Sequence, residues 1–362
     1  METIDTASIL SHFEMLGVVR DVKSLGNGLI NDTYRVVTDG STTPDYVLQR
    51  INNAIFRDVD LLQHNIEVVT AHQRRKLEAL GVDDIDRKVL QFIKTRAGKT
   101  YYCDNDERYW RVMVFIPDSF THEAVTPESA YDAGKAFGDF ERMLVDVPEK
   151  LGETIPDFHN MELRMRQLVE AVENDEVGRR HEVLDIISEL ERDAHEMCQA
   201  ERLFREGKLP KRICHCDTKV NNMLFDRDGK VLCVIDLDTV MPSFIFSDYG
   251  DFLRTGANFT AEDDPDISCV GFNEDIFKSF TIGYLESAHS FLKPIEIDLL
   301  PYAVALFPFM QCARFLTDYI NGDTYYKIKY ATHNLDRTRN QLALYRDVRN
   351  HYAMMEEFIR KC

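Results

Sequence analysis

Apolar and polar residues follow different patterns in the two parts of this chain. Up to residue 117, apolar residues cluster in short β-prone runs, which are Val22–Leu25, Ile30–Thr38, Tyr46–Ile51, Arg87–Phe92, Thr100–Cys103 and Trp110–Ile116. One longer segment, Leu61–Leu80, has apolar residues at the spacing of a helix. This pattern predicts a small sheet with one packed helix.

The pattern changes after Pro117, where helical spacing takes over. The predicted helices are Ser129–Leu144, Met161–Val172, Val183–Arg205, Asn273–Phe291 and Ile295–Ile320. Two β-prone runs, Asn222–Phe225 and Val231–Ile235, interrupt this part with a turn between them. We therefore expect an α+β chain with a small β-rich N-terminal lobe over 1–117 and a large, mostly helical C-terminal lobe over 118–362.

Length and charge narrow the possible partners. The 362 residues exceed the size at which one hydrophobic core usually stops growing, which agrees with two lobes. Acidic residues outnumber basic ones by 62 to 43, so the formal net charge is −19. A surface this acidic repels nucleic acid, which is therefore excluded as a partner. It also repels a free nucleotide, which would have to arrive with a divalent cation.

Three features predict a cytoplasmic protein without a membrane partner. The longest apolar stretch, Tyr302–Phe309, is too short to span a bilayer. Residues Met1–Met15 contain no Lys or Arg and so lack the basic start of a signal peptide. The eight cysteines form no C-x-x-C pair, and those inside apolar runs, such as Cys233 and Cys312, are expected to be buried, reduced thiols.

The segment with the most specific chemistry begins at His215 and reads H-x-D-x-K-x-x-N, followed after a predicted hairpin by Ile and Asp236. Phosphoryl transfer needs a carboxylate that orients the acceptor hydroxyl and accepts its proton, and oxygen ligands for Mg²⁺. Asp217 meets the first need. Asn222 and Asp236 meet the second, because the hairpin would return the second carboxylate to the first loop. Lys219, two residues after Asp217, can contact the transferring phosphate.

Each of these residues also has an ordinary interpretation. A polar loop before a strand can place carboxylates where they cap turns. His215 is expected to hold the loop together by a hydrogen bond rather than to take part in the chemistry. The ordered set at these spacings nevertheless favours catalysis over the ordinary interpretation.

With these motifs the chain resembles the aminoglycoside phosphotransferase and choline kinase superfamily, whose motif is H-x-D-x-x-x-x-N followed by I-D. Within it, the chain is similar to bacterial N-acetylhexosamine 1-kinases. The similar segments are Gly28–Tyr34, Tyr46–Phe56, Trp110–Ile116, Ala136–Phe140, His215–Leu224, Ile235–Pro242, Asp248–Ala257 and Arg314–Tyr330. The resemblance implies a bilobal protein-kinase-like fold and an ATP- and Mg²⁺-dependent kinase that phosphorylates the anomeric hydroxyl of N-acetylglucosamine or N-acetylgalactosamine.

The resemblance also implies roles for single residues. Asp217 would be the base at the anomeric hydroxyl, and Asn222 and Asp236 would hold Mg²⁺. Arg314 and Tyr325 would contact the sugar, to which they can donate hydrogen bonds.

Two alternatives remain open at the proposed acceptor site. Arg314 could instead form a salt bridge with Asp318, one helical turn further on. Tyr325 and Tyr326 could equally be core aromatics.

Nucleotide contacts are expected from Gly26, Gly28, Gln49 and Phe115 in the N-terminal lobe. The two glycines form a short turn that is weak evidence by itself, and Phe115 lies in the connector near which adenine should stack. The third strand of this superfamily ordinarily carries a phosphate-binding Lys, but Gln49 stands there. The usual ion pair between that Lys and a helix glutamate, here Glu67, is therefore in doubt.

Two further acids were assigned from their positions. Asp238 is expected either to join the metal ligands or to cap the following turn. Asp248 is expected to open a helix, where an acidic N-cap is favourable, and the resemblance implies the structural role of bracing the loop that begins at His215.

Two other functions compete with a sugar kinase. A kinase of the same fold acting on choline, ethanolamine, homoserine or an aminoglycoside would suit the acidic surface, although Arg314 would repel a cationic acceptor. A non-catalytic pseudokinase is suggested by the missing strand Lys, although Asp217, Asn222 and Asp236 are all present.

Overall fold

The structure is a computed structural model that describes residues 4–25, 31–40, 42–122 and 124–362, and the chain forms two compact units. The sheet unit contains Met1–Phe120, Asp146–Pro156 and Leu224–Val240, and the helical unit contains Thr121–Val145, Asp157–Met223 and Met241–Cys362. A small antiparallel sheet part and a larger helical part confirm the predicted α+β class. The predicted boundary after residue 117 and the roles of the two lobes stay predictions.

The strands and α-helices of the described residues are as follows. The strands are β1 (Val19–Ser24), β2 (Asp32–Thr38), β3 (Tyr46–Ile51), β4 (Phe92–Ile93), β5 (Tyr102–Cys103), β6 (Tyr109–Val114), β7 (Arg212–Cys214), β8 (Met223–Phe225), β9 (Val231–Val234) and β10 (Met241–Ser243). The helices are α1 (Thr6–Leu10), α2 (Val59–Ala79), α3 (Pro127–Leu144), α4 (Met161–Asn174), α5 (Leu184–Met197), α6 (Gln199–Arg205), α7 (Phe246–Gly256), α8 (Glu274–Ala288), α9 (Pro294–Asp298), α10 (Leu300–Ile320), α11 (His333–Asn350) and α12 (Tyr352–Ile359).

The main sheet of the sheet unit is antiparallel, with strand order β1-β2-β3-β6-β4 and with β5 also paired to β6. Side chains alternate along its strands, and Leu48 and Val112 belong to a buried core with Ile9 of α1. Gln49 and Arg111 are the next residues along β3 and β6 and therefore lie on the other face of the sheet. This second face also carries the buried apolar side chains of Val47, Ile51 and Met113, so the polar pair lies between apolar neighbours.

The helical unit is held together by close approaches between helices. A Cβ on Gly134 of α3 would lie 2.1 Å from the carbonyl oxygen of Phe280 on α8. A Cβ on Gly250 of α7 would lie 2.4 Å from the carbonyl oxygen of Ala303 on α10. Only glycine permits these contacts, so α3 packs tightly on α8 and α7 on the buried α10. These helices support the short β7–β10 ladder, in which Cys214 lies opposite Met241.

Several predicted elements have different bounds in the structure. The expected strand Arg87–Phe92 is wrong for most of its length, since Ile85–Arg87 form a 3₁₀ turn and β4 starts only at Phe92. The expected helix Val183–Arg205 divides at Cys198 into α5 and α6. The expected helix Ile295–Ile320 divides at Leu299 into α9 and α10.

Two other expectations concern the cysteines and the membrane. All eight cysteines are free thiols, and Cys233 and Cys312 are buried as predicted. In the part of the chain that the structure describes, no helix combines the length and the apolar composition that crossing a bilayer requires.

Candidate active site

The segment with the H-x-D-x-K-x-x-N pattern is a loop of the helical unit that directly follows β7. We call His215–Asn222 the catalytic loop. β7 ends at Cys214, and Cys216 has a left-handed backbone with φ of 64°. This conformation is costly for a residue with a side chain and persists only where surrounding contacts enforce it. The loop ends in a 3₁₀ turn over Val220–Asn222.

Asp248 supplies the contacts that enforce this conformation. Its two carboxylate oxygens accept hydrogen bonds from the backbone N–H groups of His215 and Cys216, each at 2.7 Å. Its backbone carbonyl accepts a hydrogen bond of 2.7 Å from the Thr218 hydroxyl. The expected N-cap role is wrong, because α7 starts at Phe246 with Ile245 at the N-cap and Asp248 is already inside its first turn. The carboxylate braces the catalytic loop, as the resemblance implies.

Glu141 lies against Asp248 and was not identified from the sequence. It is 2% exposed, hydrogen-bonds to Asp248, and accepts a hydrogen bond of 2.6 Å from the Tyr284 hydroxyl. Burial raises the pKa of Glu141 well above its usual range, and the negative charge of Asp248 raises it further. Burial also raises the pKa of Asp248. Burial and the neighbouring charge both favour the protonated form of Glu141, in which it can donate to Asp248.

His215 is enclosed by aromatic rings within the helical unit. Its ring meets the rings of Phe137 and Phe140 edge to face, with centroids 5.7 and 5.8 Å apart. Its Nδ1 accepts a hydrogen bond of 3.3 Å from the backbone N–H of Asp217. These contacts suit a residue that holds the loop in shape, and a structural role for His215 stays a prediction.

Asp217, Lys219 and Asn222 lie together in the catalytic loop, with Asn222 buried and the other two partly exposed. The Lys219 ammonium is 2.6 Å from Asp217 Oδ1, and Asn222 Nδ2 donates to the Asp217 carbonyl at 2.8 Å and to Oδ2 at 3.3 Å. Burial alone would raise the pKa of Asp217, but the charge of Lys219 outweighs it, so the pKa is lowered. Asp217 is therefore ionised at neutral pH, with its side chain 20% exposed.

A buried ion-pair network lies beside Lys219. The Arg254 guanidinium donates to Asp251 at 2.9 Å and pairs with Glu262 at 2.5 Å. Burial would lower the pKa of Arg254, but these two carboxylates raise it. The charges of Arg254 and Asp251 both act on Lys219. Arg254 was not identified from the sequence.

A second group of side chains lies near Arg254, whose charge acts on His159. We call this group the arginine cluster and define it as Phe158, His159, Arg164, Arg314 and Tyr326. Arg314 lies over the rings of Phe158 and Tyr326, 5.7 Å from each centroid. Burial lowers the pKa of Arg164 to about 10, and the charge of Arg314 lowers it further. The charge of Asp157 partly offsets that of Arg164, and the two guanidinium groups together make this region locally positive.

His159 connects the arginine cluster to the catalytic loop. Burial lowers the pKa of His159 well below its usual range, and the charges of Arg314, Arg164 and Arg254 lower it further. The histidine is therefore neutral at neutral pH. Its Nδ1 lies 3.0 Å from the hydroxyl of Ser247, which also hydrogen-bonds to Cys216 of the loop.

The structure shows neither the salt bridge of Arg314 with Asp318 nor a core position for Tyr325. Arg314 donates a hydrogen bond of 2.7 Å to Gln311. Asp318 instead accepts hydrogen bonds from the backbone N–H groups of Thr324, Tyr325 and Tyr326. Tyr325 is 70% exposed and so is not a core aromatic. The hydroxyl of Tyr326 is buried without a hydrogen-bond partner in the described structure. Sugar contacts by Arg314 and Tyr325 stay predictions.

Gln49 belongs to a polar network on the sheet of the sheet unit. Its Oε1 accepts hydrogen bonds from Arg111 Nε and Nη2 at 3.0 and 2.8 Å, and its Nε2 donates to Thr33 Oγ1 at 3.1 Å. Arg111 also pairs with Asp238. Glu67, on α2, accepts a hydrogen bond of 2.6 Å from Thr100 and is therefore occupied elsewhere. Asp238 was expected to be a metal ligand or to cap a turn. Its ion pair with Arg111 was not expected from the sequence.

The remaining predicted residues of the sheet unit are placed only in part. Asp236 has a left-handed backbone with φ of 61° and precedes a 3₁₀ turn over Leu237–Thr239. Phe115 lies under the guanidinium of Arg35 at 4.1 Å, and its backbone N–H donates to the Asp45 carbonyl at 2.9 Å. Gly26 and Gly28 lie outside the described residues. Nucleotide contacts by these residues stay predictions.

A family model described as the phosphotransferase enzyme family matches residues 21–269 of the chain. This range includes the whole catalytic loop as well as Asp236, Asp238 and Asp248. It also includes Gln49 on β3 and Arg111 on β6.

Three solved structures have a similar fold over nearly the whole chain. An aminoglycoside phosphotransferase from Alicyclobacillus acidocaldarius is 12% identical, with a TM-score of 0.65 over 100% of this chain and 98% of its own. A microcompartment-associated aminopropanol kinase is 16% identical, with a TM-score of 0.59 over 97% and 98%. An amicoumacin kinase in complex with AMP-PNP and Ca²⁺ is 12% identical, with a TM-score of 0.58 over 94% and 93%. These similarities confirm the predicted kinase-like fold.

Proposed function

The chain belongs to the phosphotransferase enzyme family, and from this premise we propose that it transfers the γ-phosphate of ATP to the anomeric hydroxyl of an N-acetylhexosamine. The product would be a sugar 1-phosphate. The resemblance to N-acetylhexosamine 1-kinases suggests the acceptor, and the arginine cluster of the helical unit supports it.

The observation that carries the proposal is the positive charge of the arginine cluster. The charge of Arg314 acts on Arg164, so two guanidinium groups lie close together in this cluster. An amine acceptor would add a third positive charge and would be repelled. A neutral sugar offers hydroxyl groups and an acetamide oxygen as acceptors for the guanidinium donors, and the Phe158 ring offers a flat apolar surface.

The catalytic loop supplies the groups that this reaction needs. The Asp217 carboxylate is ionised and can orient the anomeric hydroxyl and accept its proton as the bond to phosphorus forms. Lys219 is held 2.6 Å from Asp217 and can neutralise charge on the transferring phosphoryl group. Asp248 and Glu141 keep the loop in the conformation that presents these groups.

ATP with a divalent cation is consistent with this family, and the donor atoms present fit Mg²⁺. Asn222 uses its amide nitrogen to donate to Asp217, which leaves its amide oxygen as the atom able to bind a cation. Asp236 offers a carboxylate, and hard divalent cations prefer such oxygen ligands. We propose that these two residues hold Mg²⁺, which would neutralise charge on the nucleotide phosphates.

An amine kinase of the same fold is the second candidate. The net charge of −19 favours a cationic acceptor, and one structurally similar protein is an aminopropanol kinase. The local charge of the arginine cluster is opposite to this net charge. At the short distances of a binding site, the local charge dominates because salt screens the distant surface charges.

A phosphorylation screen separates the two candidates. Purified protein is incubated with ATP and Mg²⁺ and one acceptor from a panel of N-acetylglucosamine, N-acetylgalactosamine, glucose, choline, ethanolamine and an aminoglycoside. The proposal predicts the highest kcat/KM for an N-acetylhexosamine. Turnover of an amine alone would refute the sugar assignment, and a protein that turns over none of the panel but binds nucleotide would favour the pseudokinase.

A further inference from the structure

A buried ion pair that the family pattern does not predict lies beside Gln49 in the sheet unit. Arg111 and Asp238 have side chains only 2% and 4% exposed, and Arg111 Nη1 lies 2.5 Å from Asp238 Oδ1. Removing two charges from water is costly, and a well-packed apolar pair is often at least as stable. Stability alone therefore does not explain why this position carries an arginine.

The strand register places Arg111 where it can act on Gln49. Thr33, Gln49 and Arg111 are direct cross-strand neighbours on β2, β3 and β6. Both Arg111 hydrogen bonds go to Gln49 Oε1, so the amide has one orientation, with its NH₂ group as the donor on the Thr33 side. Gln49 stands where a lysine is expected, and the arginine on the adjacent strand polarises its amide.

The same arginine acts on the segment that carries Asp236. Asp238 lies two residues after Asp236, and its Oδ2 accepts a hydrogen bond of 2.7 Å from Asn31 Nδ2. The backbone carbonyl of Asp238 accepts a hydrogen bond of 2.9 Å from the Thr154 hydroxyl. Asp236 itself has a left-handed backbone, which costs energy and needs support from its surroundings. The contacts of Asp238 provide such support.

We propose that Arg111 is a positioning residue that takes the place of the missing strand lysine. It orients the Gln49 amide as a hydrogen-bond donor. It also fixes the position of Asp238, and Asp238 in turn fixes the turn that carries the metal-binding carboxylate of Asp236. This inference rests on the proposed function only in taking Asp236 as a metal ligand. It concerns the nucleotide and its metal and is independent of the acceptor.

The test measures binding of Mg²⁺ with AMP-PNP, a non-hydrolysable ATP analogue, by titration calorimetry without acceptor. Arg111→Lys keeps one positive charge but loses the forked hydrogen bonds. We expect it to weaken binding by at least about tenfold, as is typical when a residue supporting a metal ligand is changed. Arg50→Met is the matched control, because Arg50 on β3 pairs with Asp32 at 2.6 Å with side chains 41% and 45% exposed. It should bind within about twofold of wild type.

A second variant separates positioning from stability. Arg111→Met combined with Asp238→Asn removes both buried charges, so neither is left without its partner. We expect its thermal midpoint to exceed that of Arg111→Met alone, whereas binding of Mg²⁺ with AMP-PNP stays weak. In Arg111→Lys, the KM for the acceptor should be unchanged.

The outcomes distinguish this inference from the proposed function. Wild-type binding in both the Arg111→Lys variant and the double variant would overturn the positioning role. A wild-type protein that binds Mg²⁺ with AMP-PNP but phosphorylates only amines would overturn the sugar assignment and leave the role of Arg111 in place. A wild-type protein that binds no nucleotide would overturn both.

Discussion

The two units each hold a buried carboxylate next to a predicted functional residue, but by different means. In the helical unit, Asp248 accepts hydrogen bonds from two backbone N–H groups and lies against Glu141, whose pKa is raised by burial and by the charge of Asp248. In the sheet unit, Asp238 is stabilised by the permanent charge of Arg111. The first arrangement can gain or lose a proton at accessible pH, whereas the second cannot lose its positive charge. We therefore expect pH to affect the catalytic loop through Asp248 and Glu141 and to leave the pair of Arg111 and Asp238 unchanged.

We expect the largest effect from a substitution in the catalytic loop at Asp217, the proposed base. Asp217→Asn removes the carboxylate that would accept the acceptor proton, and kcat should fall by about 10²–10⁴-fold. Binding of AMP-PNP with Mg²⁺, measured by calorimetry, should change far less than in the Arg111→Lys variant. Asp228→Asn, at an exposed turn of the sheet unit, is the control. A kcat within a factor of about three of wild type would remove Asp217 as the base.

The next effect concerns the brace of the catalytic loop. Asp248→Asn leaves one oxygen to accept from two backbone N–H groups and places an NH₂ group against one of them. We expect the free energy of unfolding to fall by about 2–3 kcal/mol, as for lost hydrogen bonds to a charged group, together with a fall in kcat. Urea unfolding followed by circular dichroism measures the first quantity. An unchanged unfolding midpoint would show that Asp248 does not hold the loop.

Arginines should behave differently in the two units. Arg314 has no carboxylate partner among the described residues, so Arg314→Gln should change the free energy of unfolding by less than about 0.5 kcal/mol. Its KM for the N-acetylhexosamine should rise by about tenfold because one charged hydrogen-bond donor is lost. Arg111→Met should instead destabilise the fold with no change in the KM for the acceptor. Reversal of these two patterns would contradict the division of roles.

The smallest effect is a difference in the pH dependence of stability. The pKa of Glu141 is raised in the folded protein, so its stabilising contribution is complete below the unfolded pKa and is lost as pH rises towards the folded value. The titratable groups that interact with Glu141 include Asp248, Tyr284, Cys214, Cys216, Glu296 and the cationic Arg212. Glu141→Gln keeps a donor for Asp248 and an acceptor for Tyr284 but cannot ionise. Its stability should therefore fall less steeply with pH than that of wild type.

Unfolding experiments from ~pH 4.5, the ordinary pKa of a glutamate, upwards measure this difference, which for one proton is at most about 1.4 kcal/mol per pH unit. Arg111→Lys serves as the reference, because its pH dependence should match that of wild type. Equal slopes for wild type and Glu141→Gln would show that the carboxyl pair does not hold the proton.

The sequence predicted the local part of the candidate site better than its distant partners. Asp217, Lys219 and Asn222 are close in the chain, so their spacing alone indicated that they lie together. Glu141 and Arg111 were missed because their partners, Asp248 and Asp238, are far away in sequence. A charged residue inside the β-prone run Trp110–Ile116 was a signal for Arg111, since in the strand it faces the same side as its neighbour Gln49.

The fold was predictable to a similar degree. Helices with an apolar face, such as α3 and α4, were found with small errors at their ends. Helix α11 was not predicted, because much of its buried face is polar and consists of Asn334, Thr338, Asn340 and Gln341. Periodicity of apolar residues does not detect such a face, whose side chains are stabilised by hydrogen bonds such as that between Asn334 and Asp318.

The position of the phosphate in the product tests the proposed reaction. Protein, ATP, Mg²⁺ and N-acetylglucosamine are combined, and the reaction is followed by ³¹P NMR with correlation to the sugar protons. We expect a new phosphate signal coupled to the anomeric proton. This signal should be lost in Asp217→Asn, although that variant should still bind AMP-PNP. A phosphate on any other hydroxyl, or an anomeric phosphate that Asp217→Asn still forms at the wild-type rate, would contradict this expectation.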